Sequence, residues 1–293
     1  MISIVTAVHN QIGMNRLFYE TLKRNTRNVY ELIIIDNNST DGSREFFREH
    51  ADTVIENPGN YSYPYCQNQG IAAARYDYLV FLNNDVLVPA GWDEHLLRTM
   101  HVSGADAISP CSNDDMESRA VQRRINTRWK YVKYPLLKLF GTRYAVLRLM
   151  KRLMYPDFER FAARRWERFG ARTAEGFTGS CILLTRRVIE RVGPWDERVQ
   201  AADFDYFCTL KQYCIGHGEE GLRPMCVALG VYVHHYQRLT FKVKHPSYLD
   251  SAGMVEFRDK WGGREAALLA YRGEPLAFSR PGPSCGAVGS CRK

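Results

Sequence analysis

The chain has 293 residues, of which 45% are hydrophobic and 25% are charged, and it carries a formal net charge of +8 at pH 7. These fractions are typical of a soluble globular protein, and no apolar run approaches the ~18 residues that a bilayer-spanning helix requires. The positive charge is local, because residues 117–175 hold 16 Lys and Arg against 5 Asp and Glu, which leaves the rest of the chain at −3.

The eight cysteines are scattered, with no CxxC pair and no zinc-ligand spacing among them. This pattern favours reduced thiols in a cytosolic protein. Residues 1–8 have neither a basic leader nor a small-residue cleavage site, so they predict a first strand rather than a signal peptide. The predicted location is the cytoplasm, with peripheral attachment at the inner face of the membrane.

The first 115 residues alternate predicted strands with predicted helices. The strands are residues 2–8, 31–35, 54–55, 78–82 and 107–109. The first predicted helix carries Leu17, Phe18 and Leu22 on one face. The second has N-cap candidates in Ser39, Thr40 and Asp41. Two more helices are predicted, at residues 66–75 and after Gly91. Such alternation with short connections predicts an α/β fold with a mainly parallel sheet.

The strand at residues 78–82 is entirely apolar and ends abruptly in Asn83, Asn84 and Asp85. A run of this kind suits a sheet covered on both faces. Ligands of open α/β sheets bind just beyond the carboxyl ends of such strands, and a carboxylate there can hold a divalent cation together with substrate phosphates. The alternative is a simple Asn-Asn-Asp turn.

The second strand ends in the same way, at Asp36. Its carboxylate could accept a hydrogen bond from a base or a ribose, or it could form an Asx turn that precedes the next helix. The sequence contains neither the glycine pattern GxGxxG nor a GxxxxGK[ST] loop. The phosphates of any nucleotide must therefore be held by something other than a glycine-rich loop.

Residues 117–175 interrupt the alternation with a basic segment. A helical wheel over Leu136 to Met154, with Pro135 in the first turn, separates an apolar side from a cationic side. The apolar side comprises Leu136, Leu139, Phe140, Val146, Leu147, Met150, Leu153 and Met154. A second apolar stripe begins at Phe158. Three readings stay open for residues 129–169: contact with an anionic membrane surface, packing on the main domain, and a nucleic-acid surface.

The alternation resumes after the basic segment with a loop and strand at residues 176–185 and a helix at 186–192. Asp203 and Asp205 lie in the first turn of a helix that is predicted to run to about Tyr213, where the helix dipole alone could account for their charge. A last strand, residues 227–233, ends in His234 and His235. Adjacent residues of a strand point to opposite faces, so only one of the two histidines can face a given cleft.

In combination these strand ends resemble the inverting glycosyltransferases of family 2, which have the GT-A fold. The matching stretches are residues 4–10 (IVTAVHN), 33–42 (IIIDNNSTDG), 81–85 (FLNND), 179–181 (GSC), 192–197 (VGPWDE), 203–205 (DFD) and 233–235 (VHH). The resemblance implies a GT-A, Rossmann-like, mainly parallel sheet flanked by helices, with a basic helical insertion.

The resemblance also implies a role for each matching position. The donor-binding set comprises Thr6, Val8, Asp36, Asn38, Asn68, Asn83 and Asn84. Asp85 occupies the last position of the DxD-like motif, which holds a divalent metal (Mn or Mg) on the diphosphate, and His234 or His235 supplies a further metal ligand. Asp203 occupies the aspartate of the family's Glu-Asp pair and is the implied catalytic base. Because Ala202 stands where the family has Glu, Asp205 stays an alternative.

The implied reaction moves a sugar from a nucleoside-diphosphate sugar, of the UDP or dTDP type, to a hydroxyl of a lipid-linked glycan or polysaccharide at the membrane surface. A metal would stabilise the leaving diphosphate, and a carboxylate base would take the proton of the acceptor hydroxyl. The alternatives are a transferase that acts on a protein or nucleic-acid acceptor docked by the basic segment, and a catalytically inactive sugar-nucleotide-binding module.

The predicted layout has four parts. They are a nucleotide-sugar-binding half at residues 1–115, the basic helical insertion at 116–175, an acceptor and catalytic half at 176–245, and a C-terminal helix with a loosely ordered tail at 246–293. The tail is predicted to begin at about Ala266 and contains Cys285 and Cys291.

Overall fold

The computed structural model describes residues 1–218, 221–237, 239 and 247–270. In chain order the strands are β1 Ile2–Val8, β2 Tyr30–Asp36, β3 Thr53–Glu56, β4 Tyr78–Leu82, β5 Val86–Leu87, β6 Ala107–Cys111, β7 Thr173–Glu175, β8 Cys181–Thr185, β9 Cys226–Tyr232 and β10 His234–His235. Across the described residues eight of them form one sheet in the order β3-β2-β1-β4-β8-β6-β9-β7, while β10 pairs with β5.

The predicted mainly parallel sheet is confirmed. Strand β1 is parallel to β2 and β4, β2 is parallel to β3, and β6 is parallel to β9. Strand β8 is antiparallel to both of its neighbours, β4 and β6, and β7 is antiparallel to β9. Because β8 inserts between β4 and β6, strands from both predicted halves belong to the same sheet, and the segments that follow β1, β2 and β4 share one edge.

Helices cover both faces of this sheet. They are α1 Ile12–Asn25, α2 Ser43–His50, α3 Tyr63–Ala73, α4 Trp92–Ser103, α5 Arg119–Phe140, α6 Tyr144–Met154, α7 Phe158–Phe169, α8 Arg186–Val192, α9 Ala202–His217, α10 Phe257–Trp261 and α11 Arg264–Ala270. Ile2 and Ile4 pack into one core with α1, α4 and α6, and Val5 packs into the other with α3 and α9. Successive strand side chains point to opposite faces, so apolar strands need helices on both sides.

The prediction of one helix over Leu136–Met154 is wrong. Helix α5 begins at Arg119, where the Ser118 hydroxyl caps it, and a turn containing Gly141 (φ 68°) separates it from α6. Pro135 lies inside α5 instead of in a first turn. Only three members of the predicted apolar side are buried, namely Leu147, Met150 and Met154. A left-handed glycine ends a helix, and this split gives the two parts independent faces.

Two boundary predictions also differ from the structure. Gly42 (φ 89°), not Ser39, Thr40 or Asp41, is the N-cap of α2, because a left-handed backbone leads into this helix. The Asp41 carboxylate instead accepts hydrogen bonds from the backbone N–H groups of Ser43 (3.1 Å) and Ile12 (2.8 Å), and so it joins the starts of α2 and α1. The last long strand ends at Tyr232, and His234–His235 form the separate strand β10.

The first residues of the predicted loosely ordered tail, 266–270, belong to helix α11, and the rest of that tail, residues 271–293 with Cys285 and Cys291, lies outside the described residues. The six cysteines that are described are free and buried. Among the described helices, none combines the length and the apolar character that crossing a membrane would demand.

Candidate active site

The carboxyl ends of β1 and β2 lie side by side, because Val8 is paired with Asp36 in their parallel register. Asp36 is fully buried, and its carboxylate accepts hydrogen bonds from the Ser39 backbone N–H (3.1 Å) and from Arg44 Nε (2.8 Å). The contact with Ser39 is the Asx turn that the sequence analysis gave as the alternative role of Asp36. Asp36 is therefore a fixed, ion-paired acceptor at this edge, and Val8 is buried directly beside it.

Asn10 ties the loop after β1 to the loop after β2, and Asn38 is held within the second loop. Asn10 accepts a hydrogen bond from the Thr40 backbone N–H (2.8 Å), and Asn38, which is exposed, accepts one from Arg44 Nη2 (3.2 Å). Both asparagines have positive φ, 57° and 62°, a conformation that Asn adopts more readily than most residues. These loops present a pre-formed polar surface next to Asp36.

Asp85 follows β4 and faces His235. Strand β10 pairs antiparallel with β5, with His235 opposite Val86 and the Tyr236 backbone N–H donating to the Asp85 carbonyl (2.9 Å). This pairing brings His235 Nε2 to 3.0 Å from Asp85 Oδ1. The two side chains are the ones that the sequence assigned to a metal, and the structure brings them together.

The neighbouring histidine points to the opposite side of β10. His234 is fully buried, its Nδ1 lies 3.0 Å from the Tyr155 hydroxyl, and its ring packs edge-on against Trp129. Burial lowers the pKa of His234 well below its usual value, so the ring is neutral. Of the two histidines that the sequence left open, His235 therefore faces Asp85, and His234 belongs to the core.

A second carboxylate, which the sequence reasoning missed, holds the other side of His235. Asp114 Oδ2 lies 2.5 Å from His235 Nδ1, and the Asn113 amide bonds both to the His235 backbone N–H (2.8 Å) and to its carbonyl (2.9 Å). Burial opposes the charge on this imidazole, but Asp85 and Asp114 outweigh it and raise the pKa of His235 well above its usual range. The run of polar residues that follows β6, Ser112 to Asp115, was the available signal.

Asp203 lies in the first turn of α9. Its side chain is half-buried, Oδ1 has no hydrogen-bond partner among the described residues, and a Cβ on Gly179 would lie 2.3 Å from Oδ2. Burial raises the pKa of Asp203 to about 7, although the Tyr63 hydroxyl and the charge of His235 both lower it. Gly179 precedes Ser180, whose carbonyl accepts a hydrogen bond from the Asn83 backbone N–H, so Asp203 lies beside the end of β4 that leads to Asp85. We call this edge, bordered by Asp85, His235 and Asp203, the crevice.

Asp205, the alternative base, has a different environment. It is buried, and its two oxygens accept hydrogen bonds from Lys260 Nζ (2.7 Å) and from Trp261 Nε1 (2.8 Å). Two residues along a helix turn a side chain through about 200°, so Asp205 points away from Asp203. Its carboxylate anchors helix α10 to α9.

Two of the predicted donor-binding amides already have protein partners. Asn68 bonds to the backbone N–H and carbonyl of Trp195 (3.0 and 2.9 Å), and Asn84 donates to Asn15 Oδ1 (2.7 Å). Asn83 follows β4 directly, and its backbone N–H donates to the Ser180 carbonyl (3.0 Å). Gln67, one residue before Asn68, is buried with an unpartnered Oε1 and was not predicted.

Unpartnered buried polar atoms concentrate on the elements that border this crevice. Within the described residues they include Thr6 Oγ1, Tyr63 Oη, Gln67 Oε1, Thr178 Oγ1, Ser180 Oγ, Trp195 Nε1 and Asp203 Oδ1. More than nine in ten buried polar groups in folded proteins have a partner. This concentration indicates a surface that a polar ligand completes.

Comparison with known proteins gives three relatives of interest. EpsH of Bacillus subtilis (strain 168), whose name describes a glycosyltransferase, is 28% identical over 102 residues, which are 33% of this chain and 30% of EpsH. The O-antigen biosynthesis protein RfbC of Myxococcus xanthus is 24% identical over 242 residues, or 80% of this chain and 17% of RfbC. The chain therefore spans less than a third of either relative.

A solved structure of the mannosyltransferase PcManGT from Pyrobaculum calidifontis, in complex with GDP-Man and Mn²⁺, is similar with a TM-score of 0.47 and 18% identity, over 77% of this chain and 56% of that one. The model of glycosyl transferase family 2 matches residues 3–192, which is more than half of the chain. This match agrees with the motifs at the ends of β1, β2 and β4. The chain belongs to glycosyl transferase family 2.

Proposed function

We propose that this protein transfers a sugar from a nucleoside-diphosphate sugar, of the UDP or dTDP type, to a hydroxyl acceptor with inversion at C1, and that Asp203 is the catalytic base. The observation that carries the proposal is the Asp203 carboxylate, with an unpartnered oxygen and a pKa raised to about 7. A general base works best when its pKa lies near the operating pH. Asp205 is engaged with Lys260 and Trp261 and is assigned no catalytic part.

The residues present fit a divalent metal, Mn or Mg. No three His, Cys, Asp or Glu side chains of the described residues are grouped as a complete metal site, but Asp85 and His235 offer an oxygen and a nitrogen 3.0 Å apart. The Nε2 nitrogen would bind the metal after giving up its proton, because only the neutral imidazole is a ligand. Two protein ligands suffice where substrate phosphates supply the remaining oxygens. Bound there, the metal would act as a Lewis acid for the charge that develops on the diphosphate.

Asp114 is assigned a positioning role toward that metal. Its bond to Nδ1 of His235 leaves Nε2 directed at Asp85. A carboxylate behind a ligating histidine fixes the orientation of the ring and its tautomer.

The proposed sugar transfer moves one proton from the acceptor to Asp203 and one electron pair to the leaving diphosphate. Asp203 takes the proton of the acceptor hydroxyl, whose oxygen forms the new bond to C1. The bond between C1 and the diphosphate oxygen breaks, and its electron pair leaves with the diphosphate on the Asp85 side. Attack from the side opposite the leaving group gives inversion, and no second nucleophilic carboxylate is needed. Gly179 leaves the space that the Asp203 carboxylate occupies.

The proposed acceptor is a polysaccharide or a lipid-linked glycan at the cytoplasmic face of a membrane. RfbC, which aligns with 80% of this chain, is named for O-antigen biosynthesis. The basic helices α5 and α6 support a location at an anionic surface.

The test is an assay of the purified chain against a panel of nucleotide sugars with Mn²⁺ or Mg²⁺, in which both nucleoside-diphosphate release and donor binding are measured. A donor at 100 times its Kd should stabilise the protein by about 2.7 kcal/mol in a thermal shift. Asp203→Asn should bind the same donor and lose transfer. Transfer retained by that variant would assign the base elsewhere, and binding of a donor without any diphosphate release by the wild type would indicate an inactive binding module.

A further inference from the structure

Helices α5 and α6 form a hairpin of unusual charge. Residues 119–154 contain eleven Lys and Arg and no Asp or Glu. Most of these cations are exposed, among them Arg123, Arg124, Lys130 and Lys138 on α5 and Arg148 and Arg152 on α6. Within the described part of the chain, no carboxylate lies in ion-pair distance of these six side chains. These six cations therefore form a positive surface that carries no ion pair with any of the described residues.

The same surface carries exposed apolar side chains. Half of the twelve large hydrophobic residues that are exposed in the described chain lie on this hairpin, including Tyr131 at 79% and Leu139 at 71%. The full set on the hairpin is Tyr131, Tyr134, Leu139, Phe140, Leu149 and Leu153. Apolar surface left in water is costly unless a partner covers it.

Cations and apolar side chains alternate along one strip of each helix. On α5, Tyr131, Tyr134 and Lys138 are spaced by three and four residues, so they lie on one face. On α6, Arg148, Leu149, Arg152 and Leu153 repeat with the same spacing. The buried side of the hairpin is separate from this strip and consists of Trp129, Leu147 and Met150. Among the described residues the strip is thus a second face with exposed apolar side chains, most of all Tyr131, Leu139, Leu149 and Leu153.

We propose that the α5–α6 hairpin docks the protein on an anionic lipid membrane. Leucine, tyrosine and phenylalanine side chains would enter the boundary between headgroups and acyl chains, while the arginines and lysines contact lipid phosphates. A nucleic acid would use the cations and could stack on the tyrosines, but it offers nothing to the exposed leucines. The mixed composition of the strip therefore favours lipid.

The hairpin is joined closely to the donor-binding edge of the sheet. A Cβ added to Gly13, at the start of α1, would lie 2.4 Å from the Thr142 carbonyl in the hairpin turn. A cavity of about 730 Å³ beside this contact is lined by residues 11–13, 41–42 and 140–144. A docked hairpin would therefore hold the crevice at a fixed orientation to the membrane. This point rests on the proposed function, because it implies an acceptor anchored in the same membrane.

The test is flotation of the full chain with vesicles of phosphatidylglycerol, and of phosphatidylcholine as the uncharged comparison. Binding should occur on the anionic vesicles and fall steeply between 0.1 and 0.5 M NaCl, since salt shortens the range of the attraction. Neutralising three cations should lower the partition coefficient roughly 100-fold, at about 1 kcal/mol per charge. The charge variant is Arg124→Gln, Lys130→Gln and Lys138→Gln.

A second variant addresses the apolar contribution, with Leu139→Ser, Leu149→Ser and Leu153→Ser. It should lose at least about tenfold in partitioning while it keeps the wild-type charge. The matched control neutralises three exposed cations outside the hairpin, namely Arg172→Gln, Arg191→Gln and Arg258→Gln, and should float like the wild type. All substituted side chains are exposed, and circular dichroism verifies the fold of each variant.

The proposal is overturned if the wild type does not float with anionic vesicles, if both hairpin variants float like the wild type, or if the control loses as much binding as the charge variant. Binding to an oligonucleotide without flotation would assign the surface to nucleic acid. Binding of the nucleotide sugars in vesicle-free solution with Mn²⁺ is measured in parallel by thermal shift, because donor binding needs no acceptor. Flotation without donor binding would contradict the proposed function alone, and donor binding without flotation would contradict the docking alone.

Discussion

Asp203→Asn should make the protein more stable above neutral pH, although it abolishes transfer. Burial raises the pKa of Asp203 from 3.8 to about 7. An acid whose pKa is raised in the folded protein does not destabilise it at a pH below the pKa of the unfolded chain. The destabilisation grows as the pH rises and is complete above the pKa of the folded protein. At full burial this difference corresponds to about 4 kcal/mol. Because the side chain keeps some contact with solvent, we expect Asp203→Asn to raise the free energy of unfolding by about 2 kcal/mol at pH 8.

Asp205→Asn provides the matched comparison two residues away. Its carboxylate is buried against Lys260 and Trp261, and an amide keeps one acceptor oxygen but loses the ion pair. Hydrogen bonds to charged groups contribute about 1.5–3 kcal/mol each, so we expect a loss of about 2 kcal/mol. This variant should keep its transfer activity per folded molecule, because Asp205 touches neither the crevice nor Asp85.

Urea unfolding of the wild type and both variants at pH 4.5 and pH 8 measures these free energies. The gain for Asp203→Asn should be small at pH 4.5 and full at pH 8, whereas Asp205→Asn should be less stable than the wild type at pH 8. A destabilised Asp203→Asn, or a gain of equal size at both pH values, would refute the reasoning from burial. Loss of transfer in Asp205→Asn at full folding would refute the assignment of the base.

Three further predictions concern the crevice. The kcat/KM of the wild type should rise with pH through about 7, as Asp203 loses its proton; a flat profile from pH 5.5 to 8.5 would contradict a base with this pKa. Asp114→Asn should weaken Mn²⁺ binding about 10- to 100-fold in the presence of UDP, measured by calorimetry; the neighbouring Asp115→Asn is the control, and equal affinities would remove Asp114 from its positioning role. Gly179→Ala should lower kcat about 100-fold, because its Cβ would displace the Asp203 carboxylate; unchanged kcat would show that the carboxylate need not hold its place.

The polar residues at the carboxyl edge of the sheet were predictable where they follow apolar strands. Five apolar residues before Asn83, and the run that ends at Asp36, identify strands covered on both faces, and the polar residues after them identify the edge where ligands bind. Asp114 follows β6 in the same pattern. It was missed because its partner, His235, lies 121 residues away along the chain, and no local spacing reports such a contact.

The helical insertion illustrates the opposite case. Its charge was evident from composition, but its helix boundaries depended on Gly141, whose positive φ divides one apolar pattern into two helices. A helical wheel drawn across that break mixes faces that the fold separates. The wheel therefore placed Leu139 and Leu153 on one apolar side with Leu147 and Met150, yet the first two face solvent and the last two are buried.

The sequence by itself determined the α/β class, the mainly parallel pairing of the early strands and the carboxylates at their ends, because strand periodicity and terminal polar residues are local properties of the chain. Tertiary structure alone decided which histidine meets Asp85, which aspartate of α9 is free, and where β8 inserts. Those choices depend on the direction of single side chains and on contacts between distant segments, such as β10 with β5 and Lys260 with Asp205. Such contacts are set by the packing of the whole sheet with its helices, not by the neighbours of a residue along the chain.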